Sequence, residues 1–344
     1  MKKLLALFLS LLLMLPALAL AQEQQVLNIL SWEGYVDSDT IAAFEAETGI
    51  EVIWSPMDSI DSMLLKVSEG GGSDYDLILS SDYSLDILRK QGLIQKLDLS
   101  ALSNYGNLNP AFLNQTYDPD NEYVIPYMAG CPLIIYDPER VSFEITGYED
   151  LWNAELADSV AVLENARVLC GITLKTMGKS MNETDPDVLA QMKEKLMLLY
   201  PNIRTFGDLE SYTSVTSGEA SVGFLFTPFV YMVQLDHPEF KVVYPKEGLG
   251  YGIDGFVIPE GAKNAEAAHL FLDYLMRPEV AAHNAEYQYY MCVNQAAEAY
   301  LSETYREASV MNVPAELLSD AEFIEDVGAT ETLYQEIYTA FKNQ

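Results

Sequence analysis

The sequence predicts an α/β protein of two lobes, linked by several crossing segments of chain. Three observations lead there. Short apolar strands alternate with amphipathic helices through the N-terminal third, the pattern of a parallel sheet with helices packed on it. The chain left after a removable leader has about 320 residues, a length that suits two domains. No Pro-rich or Ser-rich stretch divides the chain, so the lobes must share more than one crossing.

The leader comes first. Lys2 and Lys3 precede an apolar run from Leu4 to Leu15, then Pro16 and the small-residue pattern Ala19-Leu20-Ala21. A charged start, a short apolar core and an A-x-A site mark a signal peptide over 1–21. The run falls short of the roughly 20 residues that span a bilayer. No cysteine follows the site to carry a lipid anchor, so the expected mature chain starts near Gln22, in a periplasm.

The first strand is Val26 to Leu30. Ser38 is placed to cap a helix bearing Ile41, Phe44 and Thr48 on one stripe, and Gly49 to end it in the left-handed conformation. Ile50 to Trp54 is a strand, 59–68 a helix stopped by Gly70-Gly71-Gly72, Asp76 to Leu79 a strand and Ser84 to Gln91 a helix. Ile125 to Tyr136 is a long apolar stretch, punctuated by Gly130 and Pro132, that reads as a strand crossing between lobes. Further on come a helix over Asp187 to Leu199 and strands at Ala220 to Leu225 and Gly255 to Ile258. A helix from Asn264 to Met276 then stops before Pro278.

Composition excludes some functions. The formal net charge is −33, and loss of Lys2 and Lys3 deepens it, so nucleic acid is a poor partner. Such a field gathers cations, although it also serves solubility alone. Cys131, Cys170 and Cys292 fit no zinc or redox spacing and allow at most one internal disulfide. His237, His269 and His283 form no metal motif, and no metal or cofactor is expected. Gly178-Lys179-Ser180 imitates a phosphate-binding loop, but the glycine that loop needs five residues earlier is Thr173. There is no G-x-S-x-G nucleophile elbow. An enzyme is not expected.

The aromatic residues say more. Among 22 tyrosines and the other rings, Trp32, Tyr35, Tyr83, Phe226, Tyr251, Tyr289 and Tyr290 stand where strands end or loops begin. Ligands of open α/β sheets bind at the carboxyl ends of strands. Glu33, Ser81, Asp82 and Asp254 stand beside these rings. Aromatic faces with a few acids suit an amine whose methylenes lie flat and whose ammonium groups need partners. Taken singly, each ring could equally be half-buried core.

At these residues the chain resembles the periplasmic polyamine-binding proteins of ABC transporters. The resemblance runs from about Leu27 to the C-terminus. Its early pieces are Ser31-Trp32-Glu33-Gly34-Tyr35-Val36, Phe44-Glu45-Ala46-Glu47-Thr48-Gly49-Ile50 and Tyr75-Asp76-Leu77-Ile78. Ser80-Ser81-Asp82-Tyr83 follows, then Asp118-Pro119-Asp120-Asn121 with Ile125-Pro126-Tyr127. The late pieces are Tyr244-Pro245-Lys246-Glu247-Gly248, Asp254 before Ile258-Pro259, and Glu325-Asp326-Val327-Gly328.

The resemblance implies a type II periplasmic-binding-protein fold, with a hinge and an interlobe cleft. One lobe is expected over 26–134 plus 254–300 and the other over 135–253 plus 301–344. It implies a monomeric receptor for spermidine or putrescine that hands its ligand to a membrane permease. The expected ligand-binding residues are Trp32, Glu33, Tyr35, Ser81, Asp82, Tyr83, Phe226, Tyr251, Asp254 and Tyr290. The chain also departs from the family. Gly34, Asn165 and Val168 stand where the family usually carries acids, Phe226, Gly252 and Ala129 where it carries tryptophans, and Ile324 where it carries a glutamine. Another small amine, an amino acid, or ferric iron on Tyr289 and Tyr290 stay open as ligands, and a secreted carboxylate-dependent hydrolase as another class.

Overall fold

The computed structural model describes residues 25–70 and 72–344, and the expected signal peptide at 1–21 lies outside the described residues. The strand β1 (Val26–Ser31) buries Leu27, Ile29 and Leu30 completely. Helix α1 (Ser38–Thr48) follows, with Thr40 and Phe44 on its buried face. Phe44 packs edge-on against Phe271, ring centroids 4.9 Å apart. The cap is Asp37, not the expected Ser38, and it accepts from the backbone N–H of Asp39. Asp37 is held in that role by α-helical neighbours from far along the chain: its N–H donates to Asn284 at 3.1 Å and its carboxylate pairs with His283 at 2.5 Å. At the other end Gly49 adopts φ 73°, as its position predicts, a conformation that a Cβ disfavours.

Next come β2 (Glu51–Pro56), α2 (Ile60–Gly70), β3 (Leu77–Ser81) and α3 (Asp82–Lys90). β1 lies between β2 and β3 and is parallel to both. The buried carboxylate of Asp76 secures the start of β3. It accepts from the N–H groups of Asn28, Lys263 and Asn264.

The long apolar stretch crosses as two strands. β4 (Ile125–Gly130) joins the first sheet and β5 (Leu133–Tyr136) the second. The break falls at Gly130-Cys131-Pro132, where proline offers no N–H to a ladder. A Cβ at Gly130 would stand 2.9 Å from the Thr227 hydroxyl and 3.0 Å from the Tyr290 ring, so two other segments close on the crossing.

The second lobe holds β6 (Val160–Val162), α4 (Ala166–Thr176), α5 (Pro186–Met197), β7 (Ile203–Phe206) and α6 (Asp208–Thr216). It continues with β8 (Val222–Leu225), α7 (Thr227–Asp236) and β9 (Lys241–Val243). Its strand order is β7-β6-β8-β5-β9, with β6 parallel to both β7 and β8. The chain then returns. β10 (Gly250–Val257) enters the first sheet between β3 and β4 and is antiparallel to both. The expected division at 253/254 thus falls inside one strand. Helices α8 (Ala265–Leu275) and α9 (Pro278–Gln288) lead to β11 (Met291–Cys292), which pairs with β4.

After α10 (Glu303–Glu307) and α11 (Ala315–Ser319), β12 (Glu322–Phe323) pairs with β10, which completes the first sheet in the order β11-β4-β10-β3-β1-β2. The last helix, α12 (Glu331–Lys342), buries Tyr334, Ile337 and Phe341 in the second lobe. The C-terminal segment is therefore divided between the lobes, and the chain passes between them three times. Cys131, Cys170 and Cys292 are free thiols. Among the described residues no helix is long and apolar enough to cross a membrane.

Candidate functional site

Two strand ends and one mid-strand residue meet at one edge of the first sheet. β1 ends at Ser31 and delivers Trp32 to Tyr35, while β3 ends at Ser81. Asp254 lies opposite Ser81 in the antiparallel β3–β10 pair. The register of β10 on β4 shifts between Asp254 and Gly255, and such a bulge re-aims the side chain beside it.

Tyr35 is the hub. Its hydroxyl donates to the Asp254 carboxylate. Its ring centroid lies 5.1 Å from that of Trp32, 6.1 Å from Tyr290 and 6.3 Å from Tyr127. Neighbouring groups fix this loop. Gly34 turns it at φ 68°, Trp54 Nε1 donates to the Trp32 carbonyl at 3.0 Å, and Tyr127 donates to the Tyr35 carbonyl at 3.2 Å. Gln288 Nε2 donates to the Gly34 carbonyl at 2.5 Å. On the other side, Tyr305 donates to the Tyr290 carbonyl and Tyr289 takes the left-handed φ of 57°. The rings are thus set by folding, which reduces the ordering a ligand has to impose.

The electrostatics favour a cation. Burial pushes the Asp254 carboxyl above the usual carboxylate range, and hydrogen bonds from Tyr35 and Ser81 draw it back down. Burial also pushes Asp82 up to about 8, opposed by the N–H of Ile253 at 3.0 Å and reinforced by the neighbouring charge of Asp254. Among the described residues no lysine or arginine neutralises either acid. Burial and the Asp254 charge raise Tyr35 well above the ordinary phenol range, so it remains a donor.

The structure brings together Trp32, Tyr35, Ser81, Asp254 and Tyr290, with Asp82 one residue beyond Ser81. Tyr83 is half-buried in a separate pocket of about 210 Å³, lined also by Asp82, Arg89, Lys90, Tyr117 and Phe323. Phe226 stands on the second lobe at the end of β8, half-buried. Two expected residues stand apart. Glu33 is exposed on the turn made by Gly34. Tyr251 packs into the core between Phe112 and Phe323, because its side of β10 faces inward. Sequence reasoning did not single out Tyr127, which sits inside an apolar run; it is buried and braces Tyr35 through its hydroxyl and ring. The adjacent tyrosines diverge: Tyr289 packs edge-on against Tyr231 at 5.3 Å while Tyr290 turns to Tyr35, so they do not form a paired phenolate site.

A family model described as bacterial extracellular solute-binding protein matches residues 39–312. This chain belongs to that family. Curated relatives of this solute-binding protein include the spermidine/putrescine-binding periplasmic protein of Escherichia coli K12. The two are 34% identical over 94% of this chain and 93% of the relative. The putrescine-binding periplasmic protein of the same organism is 32% identical, over 87% of this chain and 86% of its own. The crystal structure of a spermidine/putrescine ABC transporter substrate-binding protein from Streptococcus pneumoniae superposes with a TM-score of 0.82. It is 30% identical, covering 92% of this chain and 98% of that one. The resemblance read from the motifs and the two-lobed α/β fold it implied are borne out by these relatives.

Proposed function

We propose that this protein is the receptor of an ABC importer for a small polyamine, with a diamine such as putrescine favoured over spermidine. One observation carries the reading: Asp254 is a desolvated carboxylate, held only by hydroxyls, against the ring cluster of Trp32, Tyr35 and Tyr290. An acid so placed gains most from a cationic partner. The ligand's methylenes lie against the rings and its ammonium bonds Asp254, with Ser81 beside it. An ion pair at 4 Å is worth roughly 4 kcal/mol at an effective dielectric near 20, and desolvation offsets much of that. Ring contacts of about 0.5–2 kcal/mol each then bring the total toward micromolar affinity, near −8 kcal/mol.

The preference for a diamine follows from the second lobe, where Asn165 and Val168 leave spermidine's inner or far ammonium without the family's usual acids. The lobes, divided near the three crossings, close on the ligand about those segments. Residues 1–21 direct export and are removed near Ala21, so the mature monomer works outside the inner membrane beside its permease, with no nucleic acid among its partners. Titration calorimetry of the mature chain with putrescine, spermidine and butylamine tests the whole reading. Micromolar or tighter putrescine is expected, and no heat from any amine would end it.

A further inference from the structure

The first lobe's acid at the cleft is Asp254. On the second lobe the two positions where an acid was expected do other work: the Asn165 amide oxygen accepts from Val168 N at 3.0 Å as the cap of α4, and Val168 is buried. Another carboxylate stands at the same edge. Asp208 opens α6 just past the end of β7. Because β6 is parallel to both β7 and β8, Asn165, Asp208 and Phe226 leave the carboxyl ends of three adjacent strands together.

That edge faces the first lobe. Thr227, next to Phe226, bonds the N–H and carbonyl of Cys131 at 2.8 and 2.9 Å in the crossing between sheets. Gly130, beside Cys131, lies against both Thr227 and the Tyr290 ring. Burial chiefly raises the Tyr290 phenol, the Asp254 charge adds to it, and the Asp208 charge acts in the same direction. Asp208 is half-buried and one of its oxygens accepts from Glu164 N at 3.1 Å. Burial pushes its carboxyl above the ordinary range, and among the described residues no lysine or arginine offsets it. The neighbouring acid, Glu164, is exposed and already paired with Lys342.

We propose that Asp208 anchors a second ammonium of the ligand from the second lobe, opposite Asp254, so that the cleft selects a molecule with a cation at each end. Bridging two acids on separate lobes also ties affinity to lobe closure, which a ligand with a single charge cannot do. This inference rests on the amine-receptor reading above, and matched ligands separate the two. Putrescine and butylamine share a four-carbon chain and differ by one ammonium. In the wild type, putrescine should bind roughly 30- to 1000-fold more tightly, the range for one desolvated charge pair.

Asp208→Asn keeps the acceptor for Glu164 N and removes the charge. It should bring putrescine to within about threefold of butylamine while leaving butylamine unchanged. Asp208→Glu should keep the preference, and a melting curve on each sample shows that the variant is folded. Asp254→Asn should weaken both ligands. If Asp208→Asn keeps the full preference while Asp254→Asn weakens both amines, the anchor is refuted and the amine receptor stands. If the wild type binds neither amine, both fall.

Discussion

The two faces of the cleft handle their polar groups differently. On the first lobe, neither Asp254 nor Asp82 forms an ion pair with a lysine or arginine among the described residues, and their partners are hydroxyls and backbone N–H groups. On the second lobe, Asn165 is turned to cap α4, and Arg167 beside it is buried and bound to Glu331, Asn182 and the Glu325 carbonyl. One face leaves its acids without a cationic partner, while the other uses most of its polar groups to hold its own helices. On the proposed reading, recognition starts from the first lobe, and specificity depends on the few groups the second lobe leaves unengaged.

Asp254→Asn should weaken putrescine by about 30- to 1000-fold, since a buried charge loses its partner. Calorimetry paired with a melting curve distinguishes this from unfolding, and unchanged affinity in a folded variant would mean that Asp254 serves the apo fold alone. Ring removal should show the same asymmetry at smaller scale. Trp32→Ala should cost about 2 kcal/mol of binding and Phe226→Ala about 1, because Trp32 belongs to a four-ring cluster and Phe226 stands singly on the second lobe.

Adding an acid should sharpen the contrast from the other side. Asn165→Asp retains a good helix cap and places a charge at the positive end of α4. Spermidine should gain roughly tenfold in affinity, about 1.4 kcal/mol, with little change in melting temperature.

A weaker effect is expected from pH. Asp82, pushed up to about 8, keeps a proton in the folded state that the unfolded chain has lost above about 4. Its contribution to stability therefore falls as pH climbs from about 4 toward about 8 and is level beyond. An ammonium favours the ionised form, so putrescine affinity should rise several-fold from pH 6 to about 9, with proton release on binding. The ligand stays charged over that range, as lysine does below about 10.4. Calorimetry in buffers of different ionisation enthalpy reads the released proton directly. The smallest change should come from Glu33→Gln, within about twofold, because Glu33 is solvated and screened.

Much of the first lobe was legible because its elements obey local rules. Gly49 ends α1, α2 ends at Gly70, and β1 and β3 alternate with helices at the spacing a parallel sheet requires. The second lobe gave less. β6, β7 and β9 are three or four residues long, too short for a period to register, and α6 is rich in Ser and Thr, which favour turns as much as helices. At the candidate site, Trp32, Tyr35 and Tyr290 were read as strand-end rings and Asp254 as an acid beside them, although it lies mid-strand in β10. The same criterion picked up Tyr251, since position along a strand does not reveal which face a ring takes until the register is known. Asp208 was lost among 52 acids, because only desolvation and the absence of a cationic neighbour set it apart.

The place of β10 in the first sheet has a consequence for the order in which the molecule assembles. It lies between β3 and β4, yet the chain makes the whole second sheet before reaching it. Asp82 waits for Ile253, which is 171 residues further on. A chain synthesised or threaded from its N-terminus thus carries an open sheet, with β3 and β4 unpaired along the edges β10 will fill, until about three-quarters of it has emerged. Those edges are the segments most exposed to mispairing during that interval. The residues proposed to hold the ligand are also brought together last, so the fragment in transit has no finished cleft for an amine to stabilise.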